Sequence, residues 1–179
     1  MNLRLKRTPG IYLVGFMGSG KSTIGRHLAH RIGWNFFDTD HEIESAEKMS
    51  IAEIFETRGE PEFRLIEAEI LRQHVRWIER GRPAVLALGG GAFAEQANRE
   101  LVAEHGVSVW LDCPFETVKR RVAAQPGGAV RPLARDAEKF AELYEARRSI
   151  YELADFRVPI ESDDPEGAVG AILAGPIFR

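Results

Sequence analysis

The sequence predicts a three-layer α/β sandwich around a five-stranded parallel sheet, and three observations carry that reading. Short apolar runs alternate with segments of helical period along the whole chain. Runs such as Ile11-Tyr12-Leu13-Val14, Ala84–Leu88 and Val107–Leu111 are apolar almost throughout, as strands covered by helices on both faces must be. The three least ordinary connections, Gly15–Ser22, Asp38–Asp40 and Gly89–Gly91, each follow such a run. They therefore fall at the carboxyl ends of strands, where doubly wound sheets bind their ligands, and should face one crevice.

Ile11–Val14 is the first strand and Lys21–Arg31 the first helix. Trp34–Phe37 is a short second strand ending in Asp38-Thr39-Asp40, and helical spacing follows over Glu42–Lys48 and Ile51–Thr57. A long amphipathic helix runs from about Pro61, a residue suited to a first turn, to Arg80, where Gly81-Arg82-Pro83 stops it. Ala84–Leu88 is a buried strand broken by Gly89-Gly90-Gly91. Val107–Leu111 and Phe156–Ile160 complete the strands, and helices fill Glu95–Glu104, Phe115–Ala123, Asp136–Leu153 and Pro165–Leu173. One stretch, Ala124 to Pro132, breaks the alternation: it is rich in Gly and Pro yet carries Arg131. It reads either as a plain surface loop or as a mobile lid that brings Arg131 onto a nucleotide.

With 179 residues and no repeat or linker, the chain reads as one domain able to bury a full core. A net charge of −3 argues against a broad nucleic-acid surface. No apolar run approaches membrane-spanning length, and Met1–Pro9 lacks the apolar stretch of a signal peptide, so a short solvated tail and a cytoplasmic enzyme are expected. The single cysteine, Cys113, fits a reducing compartment and a packed, inert thiol rather than a nucleophile. Nothing demands a partner chain, and a monomer is the default.

Gly15-Phe16-Met17-Gly18-Ser19-Gly20-Lys21-Ser22 fits the phosphate-binding loop pattern in its required strand–loop–helix setting. Backbone N–H groups must turn inward around polyphosphate, so Gly15, Gly18 and Gly20 stay bare. Lys21 can reach the β- and γ-phosphates, the Ser22 hydroxyl can ligate magnesium, and the following helix aims its positive end at the anion.

Phosphoryl transfer also needs a held acceptor and charge around the moving group. Of Asp38 and Asp40, one can hold magnesium through water while the other contacts an acceptor hydroxyl; alternatively Asp40 caps the next helix. Arg64 and Glu67 lie three apart on one helix face, a spacing whose commonest fate is a solvated surface pair. The adjacent Arg147 and Arg148 read the same way. Gly89-Gly90-Gly91 lets backbone approach a ligand closely. Asp112, at a strand end, reads as structural, with a magnesium role as the alternative.

Taken together these segments resemble the shikimate kinases, P-loop small-molecule kinases related to the nucleoside monophosphate kinases. The resemblance rests on the phosphate loop through Thr23, on Asp38-Thr39-Asp40 and on Ile51-Ala52-Glu53-Ile54-Phe55. It continues through Gly59–Arg64 with Glu67, Gly89–Gly91, Arg131-Pro132-Leu133, and Arg147 four residues before Tyr151. It implies a single P-loop kinase domain over residues 1–179, with a lid at about 124–136 and an acceptor-binding region at about 40–67. The implied activity is ATP-dependent phosphorylation of the shikimate 3-hydroxyl, yielding shikimate 3-phosphate and ADP on the route to chorismate and aromatic amino acids.

Residue roles follow from the same resemblance. Gly18, Ser19, Gly20, Lys21, Ser22 and Thr23 would bind ATP, and Arg121 and Pro165 would flank the adenine, with Arg120 the adjacent alternative. Ser22, and Asp38 through water, would hold Mg²⁺. Lys21, Asp40 and Arg131 would be catalytic. Asp40, Phe55, Phe63, Arg64, Gly89, Gly90, Gly91 and Arg147 would bind shikimate, with Glu67 anchoring Arg64. Two rival readings remain: another sugar-acid kinase such as a gluconate kinase, and a nucleotide-dependent switch without acceptor chemistry.

Overall fold

The central strand β1 (Gly10–Val14) is wholly buried, and it pairs in parallel with β3 (Ala84–Ala87) on one side and β4 (Gly106–Asp112) on the other. β2 (Asn35–Asp38) joins β3 and β5 (Phe156–Pro159) joins β4, giving the all-parallel order β2-β3-β1-β4-β5. The molecule is described from a computed structural model over residues 10–125 and 136–178. The tail expected over Met1–Pro9 and most of the expected lid, including Arg131, lie outside the described residues.

Parallel neighbours require crossovers, and each is helical. These are α1 (Lys21–Ile32), α2 (Thr39–Glu47), α3 (Ile51–Arg58), α4 (Glu60–Glu79), α5 (Gln96–His105), α6 (Phe115–Ala124) and α7 (Ala137–Tyr151), while α8 (Pro165–Ala174) follows the last strand. α1 packs with α8 and against β3, while α5 packs with α4 and against β4. The main core, including Ile11, Leu13, Leu28, Leu86, Val109 and Leu111, fills the space between these layers. A satellite core of Ile43, Ile54, Phe63 and Ile70 holds α2, α3 and α4 together. Among the described residues no helix is long and apolar enough to cross a membrane.

The expected elements are present, with shifts at their ends that have local causes. The second strand begins one residue later than Trp34, because the Trp34 N–H closes the preceding turn by donating to the Ala29 carbonyl at 2.9 Å. α2 begins at Thr39 rather than Glu42: Asp38 Oδ1 accepts from the N–H groups of Asp40 and His41 at 3.0 and 3.3 Å. Asp38 is therefore the cap and Asp40 sits inside the first turn, which corrects the expectation that Asp40 might serve as the cap. α3 starts on a reciprocal capping box between Ser50 and Glu53.

Candidate active site

The loop between β1 and α1 is shaped by Gly18 and Gly20, at φ 77° and 94°, conformations that side chains resist. Lys21 Nζ donates to the carbonyls of Gly15 at 2.8 Å and Phe16 at 3.1 Å, folding back over the loop. Ser19 is fully buried and its N–H donates to the Phe16 carbonyl, so its side chain shapes the loop from within. Thr23 is exposed on the first turn of α1.

The Ser22 hydroxyl donates to Asp38 Oδ2, while the other oxygen of Asp38 caps α2. A hydroxyl and a carboxylate side by side, both partly exposed, suit Mg²⁺, which keeps several waters and takes few protein ligands. Consistent with that sparse donor set, no group of three or more His, Cys, Asp or Glu poised for a metal occurs among the described residues.

Arg121, on α6, lies against the phosphate loop: Nη1 donates to the Gly18 carbonyl at 3.1 Å and Nη2 to Asp163 at 2.8 Å. Its side chain is 21% exposed, against 61% for Arg120, which also reaches Asp163 but from the outside. The register thus places Arg121, not Arg120, beside the loop, and Pro165 opens α8 two residues after Asp163. Hydrogen bonds from Arg120 and Arg121 hold the Asp163 carboxyl down to about 2.

The triple-glycine turn after β3 is the meeting point of the other half. Thr39 Oγ1 donates to the Ala87 carbonyl at 3.2 Å and accepts from the Gly89 N–H at 3.1 Å. A Cβ added at Gly89 would lie 2.6 Å from Asp40 Oδ1 and 2.8 Å from Glu67 Oε2. One at Gly91 would lie 2.6 Å from Arg64 Nη1 and 2.7 Å from Arg147 Nη1. Only bare backbone leaves room for these four side chains to converge. The Gly90 carbonyl accepts from Arg147 Nη1 at 3.0 Å and from the Tyr151 hydroxyl at 2.6 Å.

Arg64 Nη1 donates to Glu67 Oε1 at 2.8 Å and Nη2 to Glu60 at 3.2 Å. Glu67 is 1% exposed, so the pair is not the solvated surface pair that spacing alone favours. Burial pushes the Glu67 carboxyl up, against the opposing pull of Arg64, and its Oε2 has no hydrogen-bond partner among the described residues. Arg147 and Arg148 likewise are not free surface arginines. Arg148 donates to Asp112 at 2.8 Å, and Arg157 Nε reaches the other Asp112 oxygen at 2.8 Å. Both guanidinium groups lie over Trp110, which makes Asp112 a structural hub. Phe55 and Phe63 stack at 4.6 Å, but Phe63 is buried in the satellite core and only Phe55 presents its ring to solvent. Cys113 is buried, and burial pushes its thiol up, as an inert thiol requires.

Thr39, Tyr151 and Glu60 emerge only in the structure as supports of the site. The available signals were slight: a hydroxyl between two aspartates, and an aromatic one helical turn beyond Arg147. The whole arrangement has a donor half at the ends of β1 and β2 and an acceptor half at the end of β3. The acceptor half offers two guanidinium groups, a carboxylate and open backbone, which suits a small anionic molecule bearing hydroxyls.

Comparison with known proteins identifies the family. Residues 17–174 match the family model described as shikimate kinase. The chain is 47% identical over 151 residues to a shikimate kinase of Ruegeria pomeroyi, covering 83% of this chain and 74% of that one. It is 41% identical to a shikimate kinase of Persephonella marina, covering 91% and 96% of the two chains. The solved shikimate kinase from Acinetobacter baumannii in complex with shikimate superposes with a TM-score of 0.82 at 36% identity, covering 92% and 90% of the two chains. The sequence motifs, the parallel sheet with its loop at the end of β1, and these relatives agree: the chain belongs to the shikimate kinase family.

Proposed function

We propose that this chain transfers the γ-phosphoryl group of ATP to the 3-hydroxyl of shikimate, as one monomeric P-loop kinase domain in the cytoplasm. The observation that carries the acceptor assignment is the pair Arg64 and Arg147, whose guanidinium groups flank bare Gly91, beside Asp40 at Gly89. Two guanidinium groups around one small space fit a carboxylate, and Asp40 fits ring hydroxyls. Family membership removes the basis for the rival readings as a gluconate-type kinase or a switch module. The one free, buried cysteine suits a reducing compartment.

The chain's own residues act by positioning and charge. Inward-turned amides of the loop and Lys21 hold the β- and γ-phosphates, and Arg121 with Pro165 flanks the adenine. Arg64 and Arg147 clamp the acceptor carboxylate, and Asp40 orients the attacking hydroxyl and accepts its proton as the new P–O bond forms, while the γ-phosphorus separates from the β–γ bridging oxygen and ADP leaves with that electron pair. Ser22, and Asp38 through water, would hold Mg²⁺, which would supply charge neutralisation for the transferring phosphoryl group. Arg131 would add charge at the transferring group.

A coupled ADP-release assay with shikimate, gluconate, nucleoside monophosphates or no acceptor tests the reading, with product position read by ³¹P NMR. Turnover specific to shikimate with one product at the 3-position is expected. Equal turnover with gluconate or without acceptor would overturn it.

A further inference from the structure

We infer that Tyr151 is a positioning residue for the acceptor, acting through Arg147 and the Gly90 carbonyl. The inference rests on the reading above that Arg147 grips the acceptor carboxylate. Tyr151 and Arg147 stand four residues apart on α7, one turn apart on the same helix face. Both donate to the same oxygen, the Gly90 carbonyl, at 2.6 and 3.0 Å. A carbonyl oxygen has two lone pairs, and this one gives one to each donor.

The consequence is geometric. Arg147 has a long, rotamer-rich side chain, and it anchors on a backbone carbonyl within a run of three glycines. Such a run has more conformational freedom than any other sequence, so an anchor built on it holds only if something else fixes it. On the Gly89 side the buried Thr39 hydroxyl does this, taking the N–H. On the Gly90 side the fixing group is the Tyr151 phenol, 2% exposed and short-bonded to the carbonyl. Burial pushes this phenol far above its ordinary value, so it remains a neutral donor throughout the working range. Tyr151 thereby sets where the Gly90 oxygen sits, and that oxygen sets the plane in which Arg147 meets Arg64 across Gly91.

Tyr151→Phe keeps the ring and its packing against Trp110, and deletes only the donor. The KM for shikimate should rise about five- to tenfold, the scale of one net hydrogen bond, while kcat and the KM for ATP change less than about twofold. In an Arg147→Ala background the same substitution should have no further effect on the shikimate KM. An unchanged shikimate KM overturns the inference; so does a rise in both KM values together with a lowered melting temperature, which marks a merely structural tyrosine. Additive effects of the two substitutions also overturn it. If Arg147→Ala by itself leaves shikimate binding intact, the carboxylate reading fails and takes this inference with it. If Arg147→Ala weakens binding and Tyr151→Phe does not, only the inference fails.

Discussion

Arg64 and Glu67 form an ion pair one turn apart on α4, 2.8 Å between Nη1 and Oε1, with the glutamate side chain 2% and the arginine 19% exposed. The carboxylate is sunk below the site floor and the guanidinium is left at its surface. The pair therefore does two separable things: it partners one oxygen of a buried carboxylate and it aims a cation at Gly91.

Arg64→Ala separates them. Removing one partner of a half-buried charged pair should raise the Kd for shikimate about 100-fold. It should also cost about 2 kcal/mol of stability by stranding Glu67. Adding Glu67→Gln should restore much of the stability and none of the affinity. Calorimetric titration with shikimate and urea denaturation read the two effects independently, and joint recovery of both would contradict the division.

Glu67 also predicts a pH dependence. Its unfolded carboxyl titrates near 4.3, and burial raises the folded value above that. Between the two values the folded state binds more protons than the unfolded state, so this group makes stability fall as pH rises through that window. Relative to the native chain, Glu67→Gln should gain stability as pH rises from about 4 and then level off. Urea midpoints of both proteins across that range check it; a difference that is flat, or of opposite slope, counts against the raised value.

Arg121 and Arg120 share Asp163, but only Arg121 also reaches the Gly18 carbonyl. Arg121→Ala should raise the KM for ATP about tenfold, the scale of a lost stacked guanidinium, whereas Arg120→Ala should change it less than about twofold. Steady-state kinetics at saturating shikimate distinguishes them, and equal effects would reverse the assignment of the adenine side.

Asp112 carries Arg148 and Arg157 at the end of β4, buried to 8% exposure. Asp112→Ala should destabilise the fold by about 1 kcal/mol, because the two arginines it pairs are 30% and 57% exposed and regain water. The KM for ATP and its dependence on Mg²⁺ should stay as they are. A changed metal requirement with normal stability would restore Asp112 as a metal residue.

Much of this protein was legible residue by residue. The strand–loop–helix around Gly15–Ser22 is local: glycine spacing and an apolar run specify it without reference to any distant segment. The same holds for α4, announced by Pro61 and ended by Gly81. Asp38 was harder. Its two carboxylate oxygens serve different masters, the α2 cap and Ser22, and spacing alone does not apportion them. Arg120 and Arg121 are adjacent in sequence, and which of them faces the loop depends on the rotation of α6.

Burial separates the remaining cases. An arginine and a glutamate three apart look alike on any helix, and only the floor of the site makes Glu67 a buried carboxylate. Thr39 and Tyr151 stand within motifs that assign them no role, because a hydroxyl's importance lies in which backbone group it meets.

The sequence by itself determined the parallel α/β class and the phosphate loop, which follow from periodicity and spacing between near neighbours; the acceptor-binding residues were legible only through the resemblance to the shikimate kinases. Tertiary structure alone decided that Arg147 meets Gly90, 57 positions away, and that Tyr151 holds the same oxygen from 61 positions away. The sheet order β2-β3-β1-β4-β5 brings the end of β3 between the end of β2 and the phosphate loop after β1. Contacts at such separations depend on how whole elements pack, a property that local spacing does not encode.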